Sequence, residues 1–189
     1  TKALKLDPTY SLVWANLAQV FSVTGQLDKA KKSFKNILSM EPKNGLIWAE
    51  YGTVLTKLAN YDEGRDAYLK ALEFKPDSPR VHLSLGHVYK TMGEIDNSID
   101  SYKNTILQNN LSGEAYWSLA NLKTYSFSEN EIKDMEDTLK GDMSDIERSQ
   151  MHFALGKAYE VKKDFDKSFK NYYEGNKVKK GLIKYSSDD

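Results

Sequence analysis

Apolar and aromatic side chains recur along this chain with a period of 34 residues. Four series of positions share the spacing: Trp14, Trp48, His82 and Tyr116; Leu17, Tyr51, Leu85 and Leu119; Ala18, Gly52, Gly86 and Ala120; and Phe34, Tyr68 and Tyr102. Within each period the ring, the residue three positions later and the small residue after it lie on one face of a helix. The pattern therefore predicts stacked helices that repeat one packing face.

Turn and cap residues divide each period into two helices. Gly25 and Gly93 indicate the turn inside a pair, because a positive φ costs glycine little. Caps for the first helices are predicted at Thr9, Asn44, Ser112 and Ser78, the last followed by Pro79 in the first turn. The predicted helix pairs are 9–24 with 27–40, 44–58 with 61–74, and 78–92 with 95–108.

The period becomes irregular after residue 113. Lys123 stands where an aromatic residue is expected, and Leu119 and Leu155 are 36 residues apart instead of 34. Two capping boxes, Ser128 with Glu131 and Ser144 with Glu147, predict new helices, and a last helix is expected at 164–180. Two interpretations stay open: a drifted repeat, or an adaptation to a partner that docks at the C-terminal end. The predicted units within one domain over 1–189 are 11–44, 45–78, 79–112, an irregular 113–143, and 144–180.

Charge and composition exclude several classes of function. Lys and Arg number 27 and Asp and Glu 27, so no net field favours nucleic acid or an anionic membrane. There is no cysteine and no run of about 18 apolar residues that would span a bilayer. His82 and His152 fall on the packing face, and the three histidines lack a metal-ligand spacing. We therefore predict no catalytic, cofactor-binding or metal residue, no enzyme activity of this chain alone, and a cytoplasmic location.

The first unit reads Trp14-x2-Leu17-Ala18-x2-Phe21, then Ala30-x3-Phe34, then Pro42. This pattern resembles the tetratricopeptide repeat family, and the resemblance covers nearly the whole chain. It implies an all-α fold, a right-handed α-solenoid of antiparallel helix pairs, with about five repeat units and an irregular fourth. It also implies a scaffold that binds a peptide or protein surface in a concave groove lined by the first helices.

Candidate contacts in that groove are the inner-face residues Asn16, Gln19, Glu50, Thr53, Lys57, Arg80, Leu83, His87, Lys90, Trp117, Asn121, Phe153, Lys157 and Glu160. At Leu83, Trp117 and Phe153 the inner face becomes large and apolar, which predicts the strongest contact patch there. The alternative is that these side chains pack between neighbouring first helices. The lysine–asparagine clamp of chaperone-binding members does not match, because Ala15 and Gln19 stand where it would begin.

A narrower resemblance covers residues 113–180. The strings Glu114 to Lys123, Phe127-Ser128, His152 to Tyr159 and Asn171 to Asn176 are similar to the repeat region of bacterial proteins that join tetratricopeptide repeats to a sulfotransferase. This resemblance implies a longer native protein whose catalytic domain, using phosphoadenosine phosphosulfate, follows Asp189. Residues 3–8 also read as the tail of an earlier helix, so we expect a fragment.

Three functions therefore stay open. The first is a binding scaffold, and the second is an accessory, substrate-positioning region of a larger sulfotransferase. The third is a structural role as a homodimer through exposed solenoid ends.

Overall fold

The computed structural model describes residues 11–182, and in this range it consists of helices and the turns that join them. The helices are α1 Ser11–Val23, α2 Leu27–Met40, α3 Gly45–Lys57, α4 Tyr61–Phe74, α5 Pro79–Met92, α6 Ile95–Gln108, α7 Gly113–Ala120, α8 Glu129–Thr138, α9 Asp145–Val161 and α10 Phe165–Leu182. The helices predicted after residue 24 are confirmed to within a few residues. The predicted cap at Thr9 and the tail at 3–8 lie outside the described residues.

The chain forms two compact units, Thr1–Glu94 and Ile95–Asp189. In the first, α1 packs on α2 and α3 on α4, around a core that includes Phe34, Ile37, Tyr51 and Leu55. In the second, α10 packs on α9, and α9 packs directly on α7. The division of the chain into five repeat units within one domain stays a prediction.

Two of the predicted caps are confirmed in full. Asn44 accepts a hydrogen bond from the backbone N–H of Ile47 at 3.3 Å. At α8 the Ser128 hydroxyl accepts from the N–H of Glu131 at 3.3 Å, while the Glu131 carboxylate accepts from the N–H of Ser128 at 2.8 Å. These bonds satisfy backbone donors that the first turn of a helix leaves free.

The other caps differ from the prediction. Ser144 accepts from the N–H of Glu147, but the Glu147 carboxylate does not complete a capping box. It accepts instead from the N–H of Gly113 at 2.5 Å, so α9 caps the start of α7 and the Ser112 side chain makes no cap bond there. Ser78 makes no side-chain cap bond either, and Pro79 stands in the first turn as predicted.

Four of the turns inside helix pairs use one left-handed residue each. Gly25 has φ 74° and Gly93 has φ 81°, as predicted for glycine at these positions. Ala59 (φ 59°) and Lys163 (φ 62°) occupy the equivalent place in their own pairs, where a Cβ atom makes the conformation costly. The turn geometry is therefore set by the packing of the two helices and not by the residue at the turn.

Ala59→Gly is expected to raise the free energy of unfolding by about 1 kcal/mol, because glycine relieves the left-handed strain. Gly93→Ala is the matched reverse change. It should lower the free energy of unfolding by about 1 kcal/mol through the backbone alone, since no atom lies within 4 Å of the added Cβ. Urea unfolding of both variants measures the effects. A loss of stability in Ala59→Gly would contradict this account.

The ring at the start of α3 and the ring at the start of α5 also hold the turn before the helix. The Trp48 indole N–H donates to the carbonyl of Pro42, six residues earlier, at 2.8 Å. His82 occupies the same place and is hydrogen-bonded to the backbone of Pro76. Burial lowers the pKa of His82 below 6.5, while the bond to Pro76 acts in the opposite direction and is weaker. The neutral imidazole is therefore the form that the fold favours.

This shift predicts a pH-dependent stability. The folded-state pKa lies below the unfolded one, so the unfolded chain binds the proton more readily and stability falls as the pH decreases through about 6.5 and below. We expect His82→Trp, which restores the residue found at Trp14 and Trp48, to lose less stability than wild type between pH 7.5 and pH 5. Thermal melts at the two pH values test this. Equal losses of stability in the two proteins would show that His82 contributes nothing to the pH dependence.

None of the helices between residues 11 and 182 combines the length and the apolar character that a membrane span requires.

Candidate functional site

An open groove runs between α3 and α5 in the first unit, with α4 behind it. Its larger cavity, about 300 Å³, is lined by Thr53, Thr56, Lys57, Tyr61, Tyr68, Arg80, Ser84, His87, Val88 and Thr91. A smaller cavity of about 60 Å³ shares Thr53, Tyr68, Arg80 and Ser84 with it and adds Leu46, Ala49, Glu50, Ser78 and Val81. Because the two cavities share these residues, they form one continuous surface, which we call the α3–α5 groove.

Tyr68 forms the floor of the α3–α5 groove. Its side chain is buried, and its hydroxyl lies 3.1 Å from the Thr53 hydroxyl. Thr53 donates its hydrogen to the carbonyl of Ala49 at 3.1 Å, so Tyr68 is the donor in the bond between the two hydroxyls. The ring lies against Gly52, where an added Cβ would be 2.9 Å from two ring atoms. The small residue of the repeat therefore permits a buried tyrosine under the groove.

Charged side chains stand at the edge of the groove. Arg80 forms an ion pair with Glu50 at 3.2 Å across neighbouring first helices, with 74% of the Arg80 side chain and 37% of the Glu50 side chain exposed. Exposed ion pairs of this kind contribute about 1 kcal/mol or less. A ligand carboxylate can therefore compete with Glu50 for Arg80 at little cost. Lys57 adds a second exposed cation to the same surface.

The structure brings several predicted contact residues together here. Thr53, Lys57, Arg80 and His87 all line the larger cavity, and Glu50 lines the smaller one. Leu83 and Lys90 lie on α5 but are absent from the walls of either cavity, and Asn16 and Gln19 are exposed on α1 outside the groove.

In the second unit, Trp117 and Phe153 contact each other. Their ring centroids lie 5.6 Å apart at 50°, and both side chains are partly exposed. Phe153 also packs over Gly175 of α10. This is the packing between first helices that the sequence left open as the alternative, and the partly exposed ring surface leaves a contact patch at these residues as a prediction.

The remaining three candidates in the second unit, Asn121, Lys157 and Glu160, are held by local bonds. The Asn121 amide donates to the carbonyl of Trp117 at 2.7 Å, at the end of α7. Lys157 pairs with Glu160 at 2.8 Å, and Glu160 also accepts from the Tyr172 hydroxyl at 2.9 Å. These interactions all join residues of one helix or of one helix pair.

Sequence reasoning missed several residues of the groove wall, among them Tyr61, Tyr68 and Ser84. The repeat pattern predicts Tyr68 as a core aromatic, and its ring is buried. The signal that could have identified it was its hydroxyl, because a buried tyrosine hydroxyl forms a hydrogen bond with a polar neighbour. Ser84 lies 34 residues after Glu50, so the repeat itself placed it on the inner face.

The described residues contain no group of three or more histidine, aspartate or glutamate side chains placed to hold a metal ion.

Two family models match the chain: one described as a TPR repeat, over residues 52–93, and one described as a tetratricopeptide repeat, over residues 1–32. The chain contains tetratricopeptide repeats. The first match covers α4, α5 and the C-terminal part of α3, the helices that form the α3–α5 groove. No protein with a curated description matches this chain in sequence.

Solved structures of repeat proteins have the same fold. A crystal structure of MamA protein is 19% identical, with TM-score 0.69, and the match covers 95% of this chain and 98% of that one. YrrB, described as a TPR protein with an unusual peptide-binding site, is 17% identical with TM-score 0.69, covering 94% and 91%. PilF of Pseudomonas aeruginosa is 20% identical with TM-score 0.68, covering 94% and 80%. With the helices described above, these likenesses confirm the predicted all-α solenoid of tetratricopeptide repeats.

Proposed function

We propose that this chain is a protein-interaction scaffold and that its α3–α5 groove binds a peptide segment of a partner protein. The observation that carries the proposal is the continuous open surface between two successive first helices, with a buried tyrosine as its floor. Concave sites with a few placed polar groups are where ligands bind in folded proteins.

The chemistry of the groove suits an extended peptide. Hydroxyl groups of Thr53, Ser84 and Thr91 lie along its walls. Those of Thr53 and Thr91 donate to carbonyls of their own helices and can still accept from a peptide N–H group, whereas Ser84 is able both to donate and to accept. Arg80 and Lys57 provide cations for carboxylates of the peptide. YrrB, whose description names a peptide-binding site, has the same fold, which is consistent with this use of the repeats.

Peptide display against the immobilised chain tests the proposal. A selected peptide is titrated against wild type, against Ser84→Trp, which fills the groove, and against Ser39→Trp, the same exchange at an exposed position of α2. We expect at least about tenfold weaker binding for Ser84→Trp, equivalent to about 1.4 kcal/mol, and no change for Ser39→Trp. Both variants must retain the helical circular dichroism of wild type. Equal affinity of all three proteins for every selected peptide would refute the groove as the site.

Further parts of the proposal rest on the sequence. We propose that Trp117 and Phe153 supply a second apolar contact for a protein partner, with nucleic acid and membrane surfaces excluded as partners and without catalysis by this chain. We propose a bacterial, cytoplasmic protein. A homodimer through the solenoid ends stays a prediction, and sedimentation at increasing concentration tests it.

The accessory role in a larger sulfotransferase is the alternative function. It depends on the sequence strings between residues 113 and 180, and no feature of the described residues supports it. A phosphosulfate-binding loop encoded downstream of Asp189 in the native gene would support that role.

A further inference from the structure

Another cavity, which shares no lining residue with the α3–α5 groove, lies within the second unit. Its volume is about 570 Å³, and α6, α7 and α8 all contribute to its wall. Ile106 and Leu107 form an apolar side, while Tyr116, Asp134 and Asp137 bring polar atoms. We call it the acidic pocket and define it by these five residues.

The acidic pocket lies where the repeat becomes irregular. At the position of the buried aromatics Tyr68 and Tyr102, α8 carries Glu136, which is exposed, and at the small position of Gly64 and Ser98 it carries Ile132. The helix also ends early, at Thr138. The regular repeats therefore offer no equivalent of the side chains that surround this pocket.

The Tyr116 hydroxyl has no hydrogen-bond partner in the described part of the chain. In the equivalent place Trp48 and His82 bond to the carbonyl group of the proline six residues earlier, but Asn110 replaces that proline here. Within residues 11–182 the Tyr116 hydroxyl makes no hydrogen bond, although only 5% of the residue is exposed. Every fully buried side-chain polar atom among the described residues has a hydrogen-bond partner. The unpaired Tyr116 hydroxyl is therefore not fully buried, and it lies beside the cavity that Tyr116 lines.

The electrostatic environment of the acidic pocket is negative. Burial, then Asp134, then Glu131 raise the pKa of Tyr116 to about 12, which places both carboxylates within electrostatic reach of its hydroxyl. Asp137 is paired with Lys140 at 2.6 Å, whereas Asp134 forms no ion pair with any residue of the described range. The pocket therefore disfavours an anion and leaves one carboxylate available for a cation.

We propose that the acidic pocket binds an arginine side chain of a partner protein. The guanidinium group donates to the Asp134 carboxylate and to the Tyr116 hydroxyl, which accepts. The methylene stem lies along Ile106 and Leu107, and Leu107 is 83% exposed and available for this contact. Arginine fits better than lysine because its planar fork offers five donors that reach two acceptors at once. This site differs from the α3–α5 groove in location and in charge, and does not depend on the groove binding a peptide.

The test is an NMR titration of the isotope-labelled full chain with N-acetyl-arginine amide. Parallel arms use the lysine analogue, the uncharged citrulline analogue, and spermidine as a small amine without a peptide group. We expect saturable shifts at Leu107, Tyr116 and Asp134 that are largest with arginine, weaker with lysine and absent with citrulline. Citrulline binding as tightly as arginine, or no saturable shift at the pocket with arginine, would overturn the proposal. Spermidine binding more tightly than arginine would assign the pocket to free amines and overturn it as a docking site.

Variants test whether arginine binds at the acidic pocket or elsewhere on the surface. Asp134→Asn is expected to weaken arginine binding by about tenfold, as loss of a charge-assisted hydrogen bond does. Asp166→Asn, the same exchange on the exposed face of α10, should leave it unchanged. Tyr116→Phe should weaken binding while melting no lower than wild type, because the hydroxyl it removes makes no hydrogen bond to any residue from 11 to 182. Unchanged binding in Asp134→Asn would refute the proposal, and Ser84→Trp should have no effect on this titration.

Discussion

Gly113→Ala is expected to lower the free energy of unfolding by about 3 kcal/mol, the largest single effect that we predict. A Cβ atom at this position would lie 2.2 Å from the backbone oxygen of Glu147, and 3.0 Å from the Cβ atom of Gln150. The obstructing atom belongs to the backbone of α9, which cannot rotate away as a side chain can. The start of α7 and the first turn of α9 would have to separate, and the bond from Gly113 to the Glu147 carboxylate would lengthen with them.

Gly181→Ala provides the matched control for this change. Gly181 is also helical, and an added Cβ meets no atom within 4 Å. Alanine favours the helix, so this variant should be unchanged or more stable by up to about 1 kcal/mol. Chemical unfolding of both proteins measures the contrast. If Gly113→Ala were as stable as wild type, the close contact between α7 and α9 would be wrong.

Gly52→Ala is expected to cost about 2 kcal/mol, because the added Cβ would lie 2.9 Å from two ring atoms of Tyr68. The hydroxyl bond to Thr53 holds this ring in place, so the ring cannot tilt without losing that bond. In the first repeat the same small position already carries alanine, Ala18, and its ring neighbour is Phe34, which has no hydroxyl to tether it. The restraint on Tyr68 therefore makes the second repeat less tolerant.

A double-mutant cycle with Tyr68→Leu identifies the ring as the cause. If the clash is with the ring, Gly52→Ala should cost clearly less in the Tyr68→Leu background than in wild type. Urea unfolding of the four proteins gives the coupling free energy. Additive costs would mean that alanine at position 52 destabilises the helix pair through some other contact.

Much of the helical architecture followed from the 34-residue period. The helices could be located from the positions of the rings, the aliphatic residues and the small residues. Each of these three residue types has one role in the packing of a helix pair. Gly25 and Gly93 indicated the left-handed turns, whereas Ala59 and Lys163 could not, since neither residue type favours that conformation. There the helix packing overrides the local preference of the residue.

The candidate sites depended more on contacts between distant residues. Thr53 and Arg80 were placed on the inner face by the repeat alone, and both line the α3–α5 groove. The bond between Thr53 and Tyr68, and the cap that Glu147 provides to Gly113, join residues that no local pattern connects. The volume of the cavity beside Tyr116 could not be inferred without the packed helices.

The central claim is that the α3–α5 groove is a peptide-binding surface. A crystal structure of the full chain with a display-selected peptide tests it most directly. We predict a peptide lying across Tyr68 between α3 and α5, with hydrogen bonds to Thr53 or Ser84 and a carboxylate of the peptide at Arg80. A peptide bound elsewhere on the chain, with the α3–α5 groove empty, would contradict the account.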